Sequence, residues 1–213
     1  MKENIGFLFD LDGVLIDSET EYTRIWETID ELYPTGVANF SQVIKGTTLP
    51  NILSTYFRED IREEVFVKLH QMQQDMHFEY CPGAYEFLQE LRRRNVKIAI
   101  VTSSDARKME LLWTQHPELK ESVDVVIDAG MIKHSKPDPE GYLLAAAKLG
   151  LSPERCVVCE DAVQGIRAGK NAGATVIGFT ATLGRDKIAA ETDIVVDRIS
   201  EIDIDSIIEK LTK

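Results

Sequence analysis

Ile5-Gly6-Phe7-Leu8-Phe9-Asp10-Leu11-Asp12-Gly13 decides how this chain is read. The apolar run up to Phe9 is too short for a useful helix and predicts a buried strand. It ends on two carboxylates one residue apart, followed by glycine, the residue that best permits a tight turn. Further apolar runs of strand length lie at 96–101, 123–127, 156–159, 175–179 and 194–196. Amphipathic helical patterns at 84–94, 106–115, 139–149, 163–172 and 204–211 stand between or after them. Strand and helix in alternation predict an α/β fold, a mostly parallel sheet covered by helices. Gly150 and Gly173 fall where helix C-caps are wanted.

One interval breaks the alternation. From Ser18 to about Tyr80 only helical stretches appear, around 19–32, 49–57 and 61–78. This predicts a helical cap domain at 18–80 inserted into a core made of 1–17 and 81–213. The insertion leaves just after the first strand and returns at Cys81-Pro82-Gly83, so it hangs over the carboxyl end of that strand. Open α/β sheets carry their active crevice at those ends. A cap there is suited to act as a lid that excludes water and helps select substrate.

Composition bounds the function. The chain has 213 residues, is 44% hydrophobic and 28% charged, and carries a formal net charge of −12 at pH 7. Such a charge repels nucleic acid and anionic membrane, which need basic patches. The first apolar run is too short for a signal peptide or a membrane span, so a cytoplasmic protein is expected, by default a monomer. Arg92-Arg93-Arg94 reads as a helix C-terminus favoured by the dipole. Of the three cysteines, Cys156 and Cys159 form a C-x-x-C, but one lying within a strand pattern and best read as buried packing. Trp26 and Trp113 sit in helical patterns as packing residues, and His134 is the one histidine close to the elements described next.

Four elements carry chemistry. Asp10, at the strand end, is suited to attack phosphorus and to bind Mg²⁺, and the more exposed Asp12 to protonate a leaving oxygen and then activate water. Strand ends often carry Asp and Gly, so this pair alone signals only moderately. Thr102, with Ser103 and Ser104, ends the second core strand in hydroxyls that suit a phosphoryl group or simple N-capping of the next helix. Lys136, held between Ser135 and two prolines, is placed to offset charge between a carboxylate and a phosphate. Glu160 and Asp161, at another strand end, suit an oxygen-ligand Mg²⁺ site with Asp10 or a helix cap.

In this order the four elements resemble the haloacid dehalogenase-like (HAD) superfamily, and the match spans the chain. The stretches FLFDLDGVLIDSE (7–19), CPGA (81–84), SKPDPE (135–140) and EDAVQGIRA (160–168) look like the branch holding β-phosphoglucomutase and small-molecule phosphatases. The resemblance implies a Rossmann-like core, a helical cap, Mg²⁺ and an aspartyl-phosphate intermediate. It makes Asp10 nucleophile and metal ligand, and Asp12 acid/base and donor of a backbone carbonyl to the metal. Thr102 and Ser103 would hold phosphoryl oxygens, Lys136 would bridge nucleophile and phosphate, and Asp161, assisted by Glu160, would bind metal. Ser18 would lie at the cap hinge, with Tyr22, Lys45, Gly46 and Thr47 facing the substrate from the cap. Asp12 favours phosphate ester or anhydride chemistry on a small phosphorylated metabolite. The mutase pattern has an arginine where Leu49 stands and a histidine where Tyr22 stands. Losing a bidentate phosphate ligand favours hydrolysis, with the mutase as runner-up. A non-catalytic binding protein is disfavoured, because nucleophile, lysine and metal acids are all present.

Overall fold

Side chains that alternate along buried strands must be covered on both faces, and the two faces are visible in how the core divides. The structure is a computed structural model and describes residues 4–180 and 184–212. Residues 1–3, 181–183 and 213 of the expected core range lie outside the described residues. Strand β1 (Gly6–Phe9) leads into β2 (Ile16–Asp17), and helices α1 (Glu19–Leu32), α2 (Phe40–Val43), α3 (Leu49–Tyr56) and α4 (Arg62–Gln73) follow. The chain then returns through β3 (Glu79–Tyr80), α5 (Ala84–Arg93), β4 (Lys97–Val101), α6 (Ala106–Gln115), α7 (Pro117–Ser122) and β5 (Val125–Ile127). It closes with α8 (Glu140–Leu149), β6 (Cys156–Glu160), α9 (Val163–Ala172), β7 (Thr175–Phe179), α10 (Arg185–Ile188), β8 (Ile194–Val196) and α11 (Ile204–Thr212).

Among the described residues one six-stranded sheet runs in the order β5-β4-β1-β6-β7-β8, parallel throughout. Phe7, Phe9, Ile98, Ile100, Val157 and Cys159 pack on one face, against α5, α6 and α11. Leu8, Ala99, Val101, Cys156, Val158 and Val176 pack on the other, against α8 and α9. The fold is therefore α/β and Rossmann-like, as the alternation predicts. Cys156 and Cys159 fall on opposite faces, which accounts for the C-x-x-C as packing. Burial pushes the Cys156 thiol up to about 12. Gly150 and Gly173 cap α8 and α9 with φ of +67° and +85°, the left-handed backbone that favours glycine. No helix among the described residues is long and apolar enough to cross a membrane.

Two local features differ from the pattern. Strands β2 and β3 pair antiparallel, Ile16 with Tyr80 and Asp17 with Glu79, so the chain leaves and re-enters the core through one short ribbon. Two residues per strand are too few to show a period. The helical pattern at 61–78 ends at Gln73 in α4. Phe78 is instead drawn into the core, and its N–H donates to Gln115 Oε1 at 3.0 Å, a tertiary bond that a helix would forbid. Between β2 and β3, Ile25, Trp26, Ile29, Phe40 and Leu69 join the apolar cluster that continues to the first face of the sheet. Trp26 meets Phe40 edge to face at 5.8 Å.

Candidate active site

Parallel register brings the chemistry together. Phe9 stands level with Ile100 on β4 and with Cys159 on β6, so Asp10, Thr102, Glu160 and Asp161 emerge at one sheet edge. Lys136 reaches the same edge from the loop before α8. Its Nζ donates to Asp10 Oδ1 at 2.6 Å, to Glu160 Oε1 at 2.5 Å and to the Val101 carbonyl at 3.3 Å. All three of its protons are directed, which fixes the ammonium in a buried site. The sequence-predicted core residues thus form one cluster.

Glu160 is more fully occupied than expected of a metal ligand. Its Oε1 accepts from Lys136 and from the Tyr142 hydroxyl at 2.7 Å, and its Oε2 from the N–H groups of Asp161 and Ala162 at 3.1 and 3.3 Å. Glu160 therefore anchors Lys136 and the following backbone. Helix α9 passes so near that a Cβ on Gly165 would lie 1.7 Å from Glu160 Oε1. Only glycine fits there.

One carboxylate oxygen from each of Asp10, Glu160 and Asp161 lies within 4.8 Å of the others, and all three residues are buried. Two lysines, Lys136 and Lys45, border the cavity that holds these three acids. A doubly charged cation with oxygen ligands fits both the donor set and the surplus of negative charge. Burial pushes the Asp10 carboxyl up to about 7 against the pull of Lys136, with the charges of Glu160 and Asp12 adding to the rise. Burial also opposes the charge of Lys136, but Asp10 and Glu160 outweigh it and raise its pKa.

Asp12 sits in a second polar knot. Lys108 Nζ contacts both of its oxygens, at 2.5 Å for Oδ2, Ser18 Oγ donates to Oδ1, and Ser104 Oγ donates to Oδ2 at 3.1 Å. Burial works against the Asp12 charge, yet Lys108 and the two hydroxyls hold its carboxyl below the ordinary range. Lys108 was not legible as part of this site until α6 was placed. Its signal is a cation one turn before Leu112 on the buried stripe of an amphipathic helix.

Residues of the helical insertion close over these groups. Gly46, with φ +75°, accepts from Ser103 Oγ at 3.0 Å, so the Ser103 proton is directed to the insertion. Thr102 Oγ1 accepts the Ser104 N–H at 3.0 Å and keeps its own proton. A cavity of about 350 Å³ lies between Asp10, Lys136, Asp161, Ser103, Lys45 and Gly46. A larger one, about 710 Å³, borders Asp12 and is walled by Tyr22, Trp26, Thr47, Leu49 and Gln73. Tyr22 OH accepts from Gln73 Nε2 at 2.8 Å. His134 is exposed and paired with Glu140 at 3.0 Å; the histidine near the site is His70, buried, with Nε2 2.9 Å from Asp105 Oδ2.

Known proteins resemble the chain along most of its length. A family model described as haloacid dehalogenase-like hydrolase matches residues 6–173. Hexitol phosphatase A of Escherichia coli K12 is 32% identical over 206 residues, covering 93% of each chain. A phosphorylated carbohydrates phosphatase of Thermotoga maritima is 30% identical over 88% of this chain and 91% of its own. The crystal structure of β-phosphoglucomutase from Clostridium difficile superposes with a TM-score of 0.79 at 24% identity, covering 100% of this chain and 98% of that one, and speaks to the fold alone.

Proposed function

Because the chain belongs to the haloacid dehalogenase-like hydrolases, we propose that it is a Mg²⁺-dependent phosphatase of a small sugar or polyol phosphate, working through phosphorylated Asp10. The observation that carries this reading is the buried Asp10 carboxylate, held by Lys136 beside Asp161 at a sheet edge that also presents Thr102. The carbohydrate class draws its support from the relatives, which are named as hexitol and carbohydrate phosphatases.

Residues 18–80 serve as the cap over a core of 1–17 and 81–213. Thr102 gives its proton to a phosphoryl oxygen, and Lys136 lies between nucleophile and phosphoryl group. Asp10 attacks phosphorus, the bond to the leaving oxygen breaks with its electron pair, and that oxygen takes a proton from Asp12. Water then attacks the phosphorus and gives Asp12 a proton, and the Asp10 carboxylate is released with inorganic phosphate. Asp10, Asp161 and the Asp12 backbone carbonyl would hold Mg²⁺, with Glu160 anchoring from behind. Bound there, the ion would offset the charge between carboxylate and phosphoryl oxygens.

Phosphate release is measured on a panel of phosphorylated sugars and polyols. Turnover is expected with Mg²⁺, its loss on chelation and its return on adding the metal back. Turnover by Asp10→Asn would overturn the proposal. A second reading, a β-phosphoglucomutase-type mutase, is favoured by Lys45, which borders both cavities. Leu49 in the larger cavity counts against it, since leucine offers a second phosphate nothing. Phosphorus NMR of β-glucose 1-phosphate with catalytic glucose 1,6-bisphosphate separates them: glucose 6-phosphate without free phosphate would select the mutase.

A further inference from the structure

We propose that Lys108 is a positioning residue that fixes the Asp12 carboxylate for the second half of the reaction, the attack of water on phosphorylated Asp10. The inference rests on the phosphatase reading above.

The geometry of Lys108 is specific. It sits in the first turns of α6 and is 2% exposed, yet its ammonium reaches across to both oxygens of an aspartate at the end of β1. A buried ammonium is costly unless it is paired and well bonded. Here its acid partner is Asp12, and two aromatic rings lie near the ammonium. Nζ lies 4.2 Å from the centre of the Tyr22 ring and 6.0 Å from that of Phe78.

Lys108 is also held at its other end. Its backbone N–H donates to Asp105 Oδ1 at 3.0 Å, and the second oxygen of Asp105 meets His70 Nε2 at 2.9 Å. His70 Nδ1 is in turn 2.7 Å from the Phe66 carbonyl within α4. Two elements of the insertion, Tyr22 on α1 and His70 on α4, therefore brace one lysine of the core.

The consequence for Asp12 is orientation. Ser18 and Ser104 bond it through hydroxyls, whose single protons can turn. One nitrogen in contact with both oxygens fixes the direction in which the carboxylate points, and the two hydroxyls, one on each oxygen, limit its rotation about that direction. In the second half-reaction the water oxygen bonds to phosphorus and the phosphorus–Asp10 bond breaks, its electron pair returning to the Asp10 carboxylate. The proton of the water passes to Asp12, and inorganic phosphate leaves. Ser104, the longest of the Asp12 contacts at 3.1 Å, gives up its place to the reacting oxygen.

p-Nitrophenyl phosphate isolates this step, because p-nitrophenolate departs without a proton from the enzyme. Stopped-flow traces are recorded for the full chain with Mg²⁺, and folding is confirmed by circular dichroism. In Lys108→Met, kcat is expected to fall at least tenfold while a burst of about one equivalent of nitrophenolate per enzyme precedes the slow phase. Lys108→Arg keeps the charge, and it is expected to recover part of kcat and to place its remaining deficit on the same slow phase. It carries the test if the neutral variant does not fold. A kcat within twofold of native, or a burst that shrinks in step with kcat in the folded variants, would overturn the inference. A native protein that releases neither nitrophenolate nor phosphate would instead overturn the phosphatase reading.

Discussion

Asp10 carries the pH dependence that can be read at the scale of one residue. Burial raises its carboxyl to about 7, so the folded protein gives up this proton at higher pH than the unfolded chain does. Its contribution to stability is full below the ordinary carboxylate range and is lost as pH rises through about 7. Asp12 and Asp193, held low, act the other way and only at the acid end. Mg²⁺ needs the ionised acid, so its affinity is expected to rise about tenfold per pH unit below 7 and to level off above it. Calorimetric titration from pH 5 to 8 checks this; a flat profile would contradict it. Asp10, Thr102, Glu160 and Asp161 were legible because each stands at or beside a strand end, where sequence order alone fixes the neighbourhood, and Lys136 because two prolines follow it in a loop. Lys108 was not, since it matters only through which way a helix faces.

Helix α9 shows what an element must satisfy at both of its surfaces. Gly165 faces the Glu160 carboxylate, while a Cβ on Gly169 would lie 2.9 Å from Val158 Cγ1 and from Val176 Cγ2 on the sheet. Both are tighter than side chains tolerate, and overpacking costs about 1–3 kcal/mol. The two alanine variants should nevertheless differ in kind. Gly169→Ala should lower the melting temperature and keep phosphatase activity per folded molecule. Gly165→Ala should displace Glu160, and Lys136 with it, and lose most activity even where the protein is folded. Equal activity in the two folded variants would refute the distinction. The strands of the main sheet and the longer core helices were legible from their apolar patterns. The missing ones, α2, α7 and α10, span one or two turns, and each strand of the β2–β3 ribbon has only two residues, too few to show alternation.

At the scale of the whole molecule, a net charge of −12 surrounds a site that receives an anion. Raising salt from about 10 to about 150 mM shortens the range of that repulsion, so kcat/KM for a phosphate ester should rise with kcat unchanged. A steep fall would mean that the cavity lysines govern the approach instead. The inserted helices were legible as an interruption in the strand rhythm, but their docking was not, because it depends on bonds between distant residues. Tyr80 with Glu118 at 3.0 Å, Asn51 with Ser135 and His70 with Asp105 are of this kind. So is Ser103 with Gly46. A hydroxyl carries a single hydrogen, and Ser103 cannot give it both to the loop above and to a phosphoryl oxygen beneath. Guest and roof are rivals for one proton, and a phosphoryl group that claims it unfastens the loop that covers it.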